Sequence, residues 1–401
     1  MNPPTGLLHL PVRILYNRRM ALFGLFKKRE AGFSLVIDIG SHAIKALMSR
    51  GSDELVPRVL KKMAVRLRVP FSFQEALEHL HEILFAMVQE AGKVPLRVVV
   101  GLGPELAHIS SAFWRIPRTG RGKHIRREEL FDYFSNLCRQ QGSPREEGII
   151  YPLRLFANGY PVKGEALLHH DASRVVELGF QILALTYSSA VAEASRKLRQ
   201  MWGGLPIEYV PLAIAFQEAI ATLGMEEVLF VDIGGGFTTL LLIKEKTIAE
   251  LATFPMGAHD FVRGIAHIAR IPWREAEDLK RQYAQGVVDE ATKRRLQQFL
   301  TESAEVWEHL FLEALESFYK VGPLPEGVVL GGGGAYIPEI QSVLRKSDWL
   351  GKFSSYAAPK MQLMEGWRLF GGRSLEGHIQ GPEDAGLASL MVYAHTHRSV
   401  W

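Results

Sequence analysis

Val36-Ile37-Asp38-Ile39-Gly40-Ser41-His42-Ala43-Ile44-Lys45 and, far downstream, Phe230-Val231-Asp232-Ile233-Gly234-Gly235-Gly236-Phe237-Thr238-Thr239 share one pattern. In each, a short apolar run ends in Asp-x-Gly, and the residues that follow can return as a second strand. Both therefore read as β-hairpins with a tight reversal. Glycine at such a turn lets backbone N–H groups approach phosphate oxygens with no side chain in the way. An aspartate at the strand end can hold a magnesium ion through water. A lone Asp-x-Gly is an ordinary hairpin turn. Two copies, each behind a strand of buried type, look like the halves of one phosphate clamp.

A third run, Val328-Val329-Leu330-Gly331-Gly332-Gly333-Gly334-Ala335, follows another apolar strand and precedes Tyr336-Ile337-Pro338-Glu339-Ile340, which can open a helix. Such a run lets backbone pass close to a flat nucleobase. The order of the three motifs resembles the actin/Hsp70/sugar-kinase superfamily, over residues 33–394. The resemblance implies an α/β, actin-like (ribonuclease H-like) two-domain ATPase fold whose related domains close on ATP.

The totals agree with that size of molecule. A chain of 401 residues with 47% hydrophobic content supports two packed domains with subdivisions. Its 47 Lys and Arg nearly balance 43 Asp and Glu, so no strong basic face for nucleic acid is expected. The single cysteine, Cys138, excludes an internal disulfide and reads as a small apolar filler in a helix. No apolar stretch approaches the ~20 residues that cross a bilayer. Residues 6–29 nevertheless mix Leu, Val, Ile and Phe with Arg13, Arg18, Arg19, Lys27, Lys28 and Arg29, without the clean apolar block of a secretory signal. Two readings stay open. One is a flexible tail, with Met20 as an alternative start; the other is an interfacial membrane segment with Phe23 and Phe26 among lipids and Lys27 to Arg29 at anionic headgroups.

Along the chain, Leu77, Leu80, Leu84 and Val88 predict an amphipathic helix over residues 75–90, with His79 and His81 on different faces at the surface. Residues 96–102 read as a core strand and 109–116 as a second. A strand-helix-strand-strand pattern then interrupts the first domain over residues 102–181: a helix at 126–140 and strands at 148–157 and 164–170 around the turn Asn158-Gly159. A small α+β domain inserted here, in the first half, resembles the FtsA/PilM group. Residues 175–186 are expected to resume the core sheet. A helix follows at 188–202, with Arg196, Lys197 and Arg199 as a solvated face.

Val210-Pro211-Leu212 onward resembles the superfamily's connecting helix, and Phe254-Pro255-Met256-Gly257-Ala258-His259-Asp260-Phe261 the segment that leads into the upper second domain. Ala276-Glu277-x-x-Lys280 resembles the family's Ala-Glu-x-x-Lys helix. Glu277 and Lys280 share a helical face and can reach a ribose or an adenine edge; the plainer alternative is a surface ion pair. A long helix is expected over 291–320, a loop over 366–382, and Asp384 to Leu390 resembles the closing helix. The expected division is a tail at 1–32, the first domain at 33–101 and 182–206 around the insert 102–181, and the second domain at 207–256 and 322–394 around an upper subdomain 257–321. A C-terminal tail follows at 395–401.

The resemblance implies ATP and Mg2+ as ligands. Asp38 and Asp232 would flank the metal. Gly40, Ser41, Lys45, Gly234, Gly235, Gly236 and Thr238 would surround the phosphates, with hydroxyl donors from Ser41 and Thr238. Glu277, Lys280, Gly331, Gly332, Gly333 and Gly334 would lie at the nucleoside. Three residues depart from the family pattern: Phe237 for a small hydroxyl residue, Thr239 for an aspartate and Gly331 for Thr or Ser. Filament-forming relatives place a water-orienting glutamate just before the connecting-helix proline, where this chain has Val210. Gln217 and Glu218 follow a turn or two later. The expectation is ATP binding with at most slow hydrolysis, serving as a switch.

The implied function is an FtsA-like cytoskeletal adaptor that self-associates into filaments and links a ring of the tubulin-like protein FtsZ to the inner membrane face, cytoplasmic and peripheral. The stretch Tyr151-Pro152-Leu153-Arg154-Leu155-Phe156-Ala157-Asn158-Gly159 resembles the division insert. The chain ends at His397-Arg398-Ser399-Val400-Trp401, where division proteins usually continue into a linker and anchor. That end favours the alternative, a PilM-like scaffold of type IV pilus assembly that captures the tail of a pilus membrane protein. A small-molecule kinase on the same fold is a third reading, disfavoured by the insert.

Overall fold

The computed structural model describes every residue except 1–12, 15–32, 51–57, 93–94, 120–123, 142–146, 163–171, 188, 203–204, 206, 347–348, 350, 352–357, 371–376 and 398–401. The chain forms two compact units: Lys27–Glu105 with Leu198–Trp401, and Met1–Phe26 with Leu106–Lys197.

The larger unit contains two five-stranded sheets of the same design. In the first, Phe33–Ile39 is central, antiparallel to its hairpin partner Ala43–Arg50 and parallel to Arg97–Leu102; Arg58–Arg66 and Ile207–Pro211 are the edges. In the second, Val228–Ile233 is central, antiparallel to Thr238–Lys244 and parallel to Gly327–Gly331; Thr247–Phe254 and Lys360–Leu363 are the edges. The duplication extends to single residues. Asp38 pairs with Lys45 on one side and Gly101 on the other, and Asp232 with Thr239 and Gly331. Both hairpins stand where the sequence predicts them.

Helices cover these sheets. The closing helix Ala385–Thr396 is buried from Ala385 through Ala394 and lies against Phe33–Ile39 and the connecting helix Leu212–Thr222. Gly101 permits this approach, since a Cβ there would meet Leu390 at 2.6 Å and Leu212 at 2.8 Å. A buried polar cluster fastens the helix's far end. Arg97 Nε donates to Glu208 at 2.9 Å, Tyr393 donates to the same carboxylate at 2.9 Å, and Arg97 Nη1 caps the Ala394 and His397 carbonyls.

In the second half, the helix Glu290–Glu316 buries Leu296, Leu300, Ala304, Trp307, Phe311 and Leu315, one stripe at helical spacing. Trp307 stacks on Phe311 and meets Phe254 edge-on. Its indole N–H donates to Thr238 Oγ1 at 3.0 Å, and that hydroxyl donates to the Met256 carbonyl at 2.7 Å. The helix Phe73–Ala91 is capped by Ser72 and left-handed Gly92 and buries Ala76, Leu80, Ile83, Leu84 and Met87. His81 is only partly exposed and lies 5.9 Å from the Trp202 ring. Within the expected loop at 366–382, Gly366–Phe370 is a 3-10 turn.

The smaller unit has one sheet, made from Arg13–Ile14, Glu147–Ala157, Glu177–Tyr187 and Ala107–Pro117 in that order, with Tyr160–Val162 paired to Glu147–Ala157. Asn158 and Gly159 both have positive φ, as a two-residue hairpin turn requires. The helix Arg127–Gln141 lies in its core through Leu130 and Phe134, which pack with Leu178, Phe180 and Ile182.

Two expectations change here. Residues 175–186, expected to resume the first domain's core sheet, form a strand of this sheet instead. Glu177–Tyr187 is paired along its length on both sides, to Ala107–Pro117 and Glu147–Ala157. Apolar strands of this kind look alike in sequence whichever sheet they enter, and the compact unit runs to Lys197 instead of ending at 181. The expected tail also contributes: Arg13–Ile14 pairs in parallel with Ile149 and Ile150. The strand expected at 164–170, the Cys138 and Arg199 side chains and most of residues 6–29 lie outside the described residues.

The Thr238 hydroxyl is both donor and acceptor in a site with no water access. Thr238→Val should leave the Trp307 N–H and the Met256 carbonyl unsatisfied and cost about 1–3 kcal/mol. Urea unfolding followed by tryptophan fluorescence should show a lower midpoint.

Candidate functional site

The two central strands deliver Asp38 and Asp232 to one place, and a third acid joins them. Asp232 is pushed up to about 7 by burial and then by the charges of Asp38 and Glu105. Asp38 is pushed up to about 6, chiefly by burial, with Lys45 opposing and Asp384 adding to the rise. Burial likewise raises the Glu105 carboxyl. Lys45 is near enough to influence both aspartates, yet its ammonium lies 3.4 Å from Asp384 Oδ1 and donates to the Glu383 carbonyl. Asp384 also binds Lys62 at 2.6 Å; despite burial, these two lysines hold its carboxyl below the usual range. Lys45 is thus tied to the start of the closing helix instead of standing free for phosphate.

The second glycine turn is oriented by the helix Ala258–Ala269. Ala258 N–H donates to the Gly234 carbonyl at 2.9 Å and His259 N–H to the Gly235 carbonyl at 2.8 Å. In a trans peptide the carbonyl and the next N–H point in opposite directions. Anchoring those two carbonyls therefore turns the N–H groups of Gly235 and Gly236 away from the helix. Gly236 N–H meets Ser41 Oγ of the first hairpin at 2.8 Å, and Ser41 N–H donates to Glu105 Oε1 at 3.3 Å. Gly40 N–H closes the first turn on the Ala43 carbonyl, and Gly234 N–H closes the second on Phe237. A Cβ on Gly235 would sit 2.5 Å from Ser41 Oγ and 2.8 Å from the His259 ring. The space between the loops suits backbone and a small anion only.

Glycines in the third run divide by task. Side chains on Gly332 and Gly334 would collide with Ile233, and one on Gly331 would meet the Phe230 ring at 2.7 Å. Gly333 has nothing within 4 Å of a Cβ. Three of the four glycines serve the packing of this loop on the second hairpin, and Gly333 faces open space.

Glu277 and Lys280 occupy one face of the helix Trp273–Ala284, as their spacing predicts. Glu277 Oε1 lies 3.1 Å from His42 Nε2. The His42 ring meets His259 edge-on at 5.7 Å, and His259 meets Trp273 at 5.3 Å. Burial is the main reason both imidazoles fall to about 4, with nearby Lys280 contributing. Both are neutral at pH 7. Burial also lowers the Lys280 ammonium, against the pull of Glu277.

The structure corrects one expected ligand. Thr238 is fully buried and its hydroxyl is committed to Met256 and Trp307, so it offers nothing to phosphate. Val210 is fully buried in an edge strand, and Gln217 Oε1 accepts the Ile248 N–H at 2.9 Å, which occupies it structurally. Several residues went unrecognised in the sequence. His42 and His259 sit inside the motif stretches, where their closeness to glycines was the available signal. Gly257 is required because a Cβ would come within 2.6 Å of the Gly234 and Gly235 carbonyls, and Gly386 because one would meet Asp38 Oδ2 at 2.5 Å. Glu105 lies outside every motif and gives no sequence signal.

These groups fit a magnesium–nucleotide phosphate. Clustered carboxyls raised by burial and mutual repulsion call for a cation, and the N–H groups and the Ser41 hydroxyl beside them call for an anion. Among the described residues no three His, Cys, Asp or Glu side chains gather as a direct metal site. An ion here would be shared with phosphate oxygens and water.

The family model for "Cell division protein FtsA" matches residues 229–383. The FtsA of Enterococcus hirae is 21% identical over 337 residues, covering 78% of this chain and 75% of that protein. The FtsA of Bacillus subtilis (strain 168) is 28% identical over 134 residues, 29% of this chain and 30% of that protein. Among solved structures, a "PilM-PilN type IV pilus biogenesis complex" has the same fold, with a TM-score of 0.61 and 19% identity over 89% of this chain and 97% of that one. The chain is thus similar in sequence to cell division protein FtsA, most clearly over residues 229–383, and similar in fold to the solved pilus biogenesis complex.

Proposed function

We propose that this chain is an ATP-binding, actin-like scaffold of the FtsA kind, in which Mg2+ and nucleotide close the two duplicated halves and set its ability to assemble. The observation that carries the reading is the pairing of acids raised by burial and mutual repulsion, Asp38 and Asp232, with the glycine-turn N–H groups and Ser41 beside them. Asp38 and Asp232 would hold the ion through water. Gly235, Gly236 and Ser41 would hold phosphate oxygens, and Glu277, Lys280 and the open side of Gly333 would meet the nucleoside. The division-protein matches support a role of this kind, and self-association, a link to the tubulin-like FtsZ and attachment at the inner membrane face are the finer parts of the proposal. The alternative, a pilus-assembly scaffold that captures the tail of a membrane protein, uses the same fold and clamp. Self-assembly on nucleotide addition favours the first reading; capture of such a tail without self-assembly favours the second.

Membrane attachment rests on sequence. No helix among the described residues is long and apolar enough to cross a membrane, and the basic, apolar stretch Leu22 to Arg29 lies outside them. Three adjacent cations would contribute about 1 kcal/mol each near anionic lipid, enough only for reversible binding by one copy and firmer binding by aligned copies.

Three measurements check this reading. Gly235→Val should abolish saturable binding of ATP and ADP in calorimetry while the fold survives by circular dichroism; unchanged binding would refute the clamp. The second concerns pH. Asp38 and Asp232 are raised from 3.8 to about 6 and 7, so their stabilising contribution is complete below about pH 4 and is lost as pH rises through those values. The nucleotide-free protein should lose thermal stability between about pH 5 and 8, and Asp232→Asn should flatten that slope. Finally, Phe23→Glu with Phe26→Glu should reduce co-sedimentation with anionic vesicles several-fold at unchanged nucleotide affinity. Undiminished co-sedimentation would remove the lipid anchor.

A further inference from the structure

Actin-like ATPases need a group that orients the attacking water, and the position expected to supply it, Val210, is a fully buried valine. Its neighbour in the sheet suggests another source. Val210 pairs with Gly101 and Pro211 with Leu102, the last residue of the strand Arg97–Leu102. Three residues beyond that strand end, the chain places Glu105. The Glu105 side chain folds back over Gly103, where a Cβ would lie 2.6 Å from Oε2. Its Oε1 accepts the Ser41 N–H at 3.3 Å. Its charge acts on Asp232, and that of Asp38 acts on it. Glu105 thus stands at the junction of the first phosphate turn and both aspartates, from the strand adjacent to the one that lacks the acid.

Three further observations separate Glu105 from an ordinary structural carboxylate. Among the described residues it has no lysine or arginine partner, whereas Glu208 and Asp384 are both paired. Burial raises its carboxyl, which moves it toward the range where it can accept a proton near neutrality. Two other polar side chains that the motifs offer are engaged elsewhere: Gln217 holds the Ile248 N–H and Thr238 is sealed in the core.

We propose that Glu105 is the catalytic residue that orients and deprotonates the attacking water, in place of the acid missing at Val210. The inference rests on the nucleotide reading above. In the step, the water oxygen forms a bond to the γ-phosphorus as the bond from that phosphorus to the β–γ bridging oxygen breaks. The bond's electron pair leaves with ADP, the water proton passes to the Glu105 carboxylate, and that proton is then released to solvent. For this, Glu105 must exchange the Ser41 N–H for water when a phosphate oxygen takes that N–H. The carboxylate holds the Ser41 N–H that the anion would take. A general base contributes roughly 10²–10⁴-fold to such a step.

The test is Glu105→Gln in the full chain, which keeps the size of the side chain and most of its hydrogen bonding. Single-turnover hydrolysis should fall ~100-fold, while the Kd for a non-hydrolysable ATP analogue stays within about threefold of wild type. The nucleotide-free variant should melt at a higher temperature than wild type at pH 8, because an unpaired buried carboxylate becomes neutral. Asp at the same position should hydrolyse at an intermediate rate. Unchanged turnover in Glu105→Gln overturns the proposal, as does wild-type protein that binds ATP with no turnover above the buffer blank. A parallel loss of affinity and melting temperature in Glu105→Gln would instead mean that Glu105 braces the Ser41 turn, and would also overturn it. Failure of wild-type protein to bind ATP or ADP would remove the nucleotide reading itself, a distinct result.

Discussion

Everything at the clamp depends on keeping two carboxylates together that repel one another. Asp38 and Asp232 end equivalent strands of duplicated sheets, each beside a glycine on the parallel neighbour, so the fold itself brings like charges into one partly dry space. Raising Asp38 from 3.8 to about 6 corresponds to about 3 kcal/mol of disfavoured ionisation. That is a substantial fraction of a domain's net stability. The surrounding core must bear it. It does so through the closing helix, whose Gly386 lies against Asp38 and whose far end is bound by the Arg97–Glu208–Tyr393 cluster. The same helix begins at Asp384, which pairs with Lys45 and Lys62. Lys45, shared with Asp384 and the Glu383 carbonyl, lowers both aspartates without offsetting their burial.

Glycine use in the three motifs follows from the same geometry. The Gly235 peptide must present N–H to the cleft and carbonyl to the helix Ala258–Ala269, and Gly257 clears the space in which those carbonyls lie. Gly331, Gly332 and Gly334 are there because the third loop presses on Phe230 and Ile233. A glycine-rich signature that suggests ligand contact along its whole length is, at most of its positions, a requirement for one loop to lie against another. The ligand inherits the gap that remains.

Sequence was sufficient for the parts whose physics is local. The hairpins, the strand-to-helix glycine run, the Glu277/Lys280 face and the Asn158-Gly159 turn each express a spacing or a backbone preference carried by a few consecutive residues. What it could not convey was partnership at long range. Glu177–Tyr187 is an apolar strand in either sheet, and only pairing with Ala107–Pro117 and Glu147–Ala157 assigns it to the smaller unit. Thr238 looked like a phosphate donor because of its place in a motif, yet its hydroxyl is claimed by Trp307, 69 residues away. Glu105 was invisible for the converse reason: its role comes from a fold that brings a loop beyond a strand end up to Ser41.

The same constraint would suit the proposed clamp to a switch. His42 contacts Glu277 and Ser41 contacts Gly236, so the duplicated halves touch through a few short polar contacts. A magnesium ion with phosphate would replace repulsion among the acids by attraction to a shared cation. It would also supply an anion to N–H groups now satisfied by Ser41 and Glu105. The difference in free energy between open and closed arrangements would then change by several kcal/mol, mostly through charge and with few new contacts. A ligand shifts a conformational equilibrium only by its differential affinity for the two states. In the proposed clamp that differential would lie in the backbone, because the two central strands bring the acids together. Under the proposed reading, loss of a terminal phosphate would remove negative charge from the space that Ser41 and Gly236 line and would weaken the closure that the ligand favours.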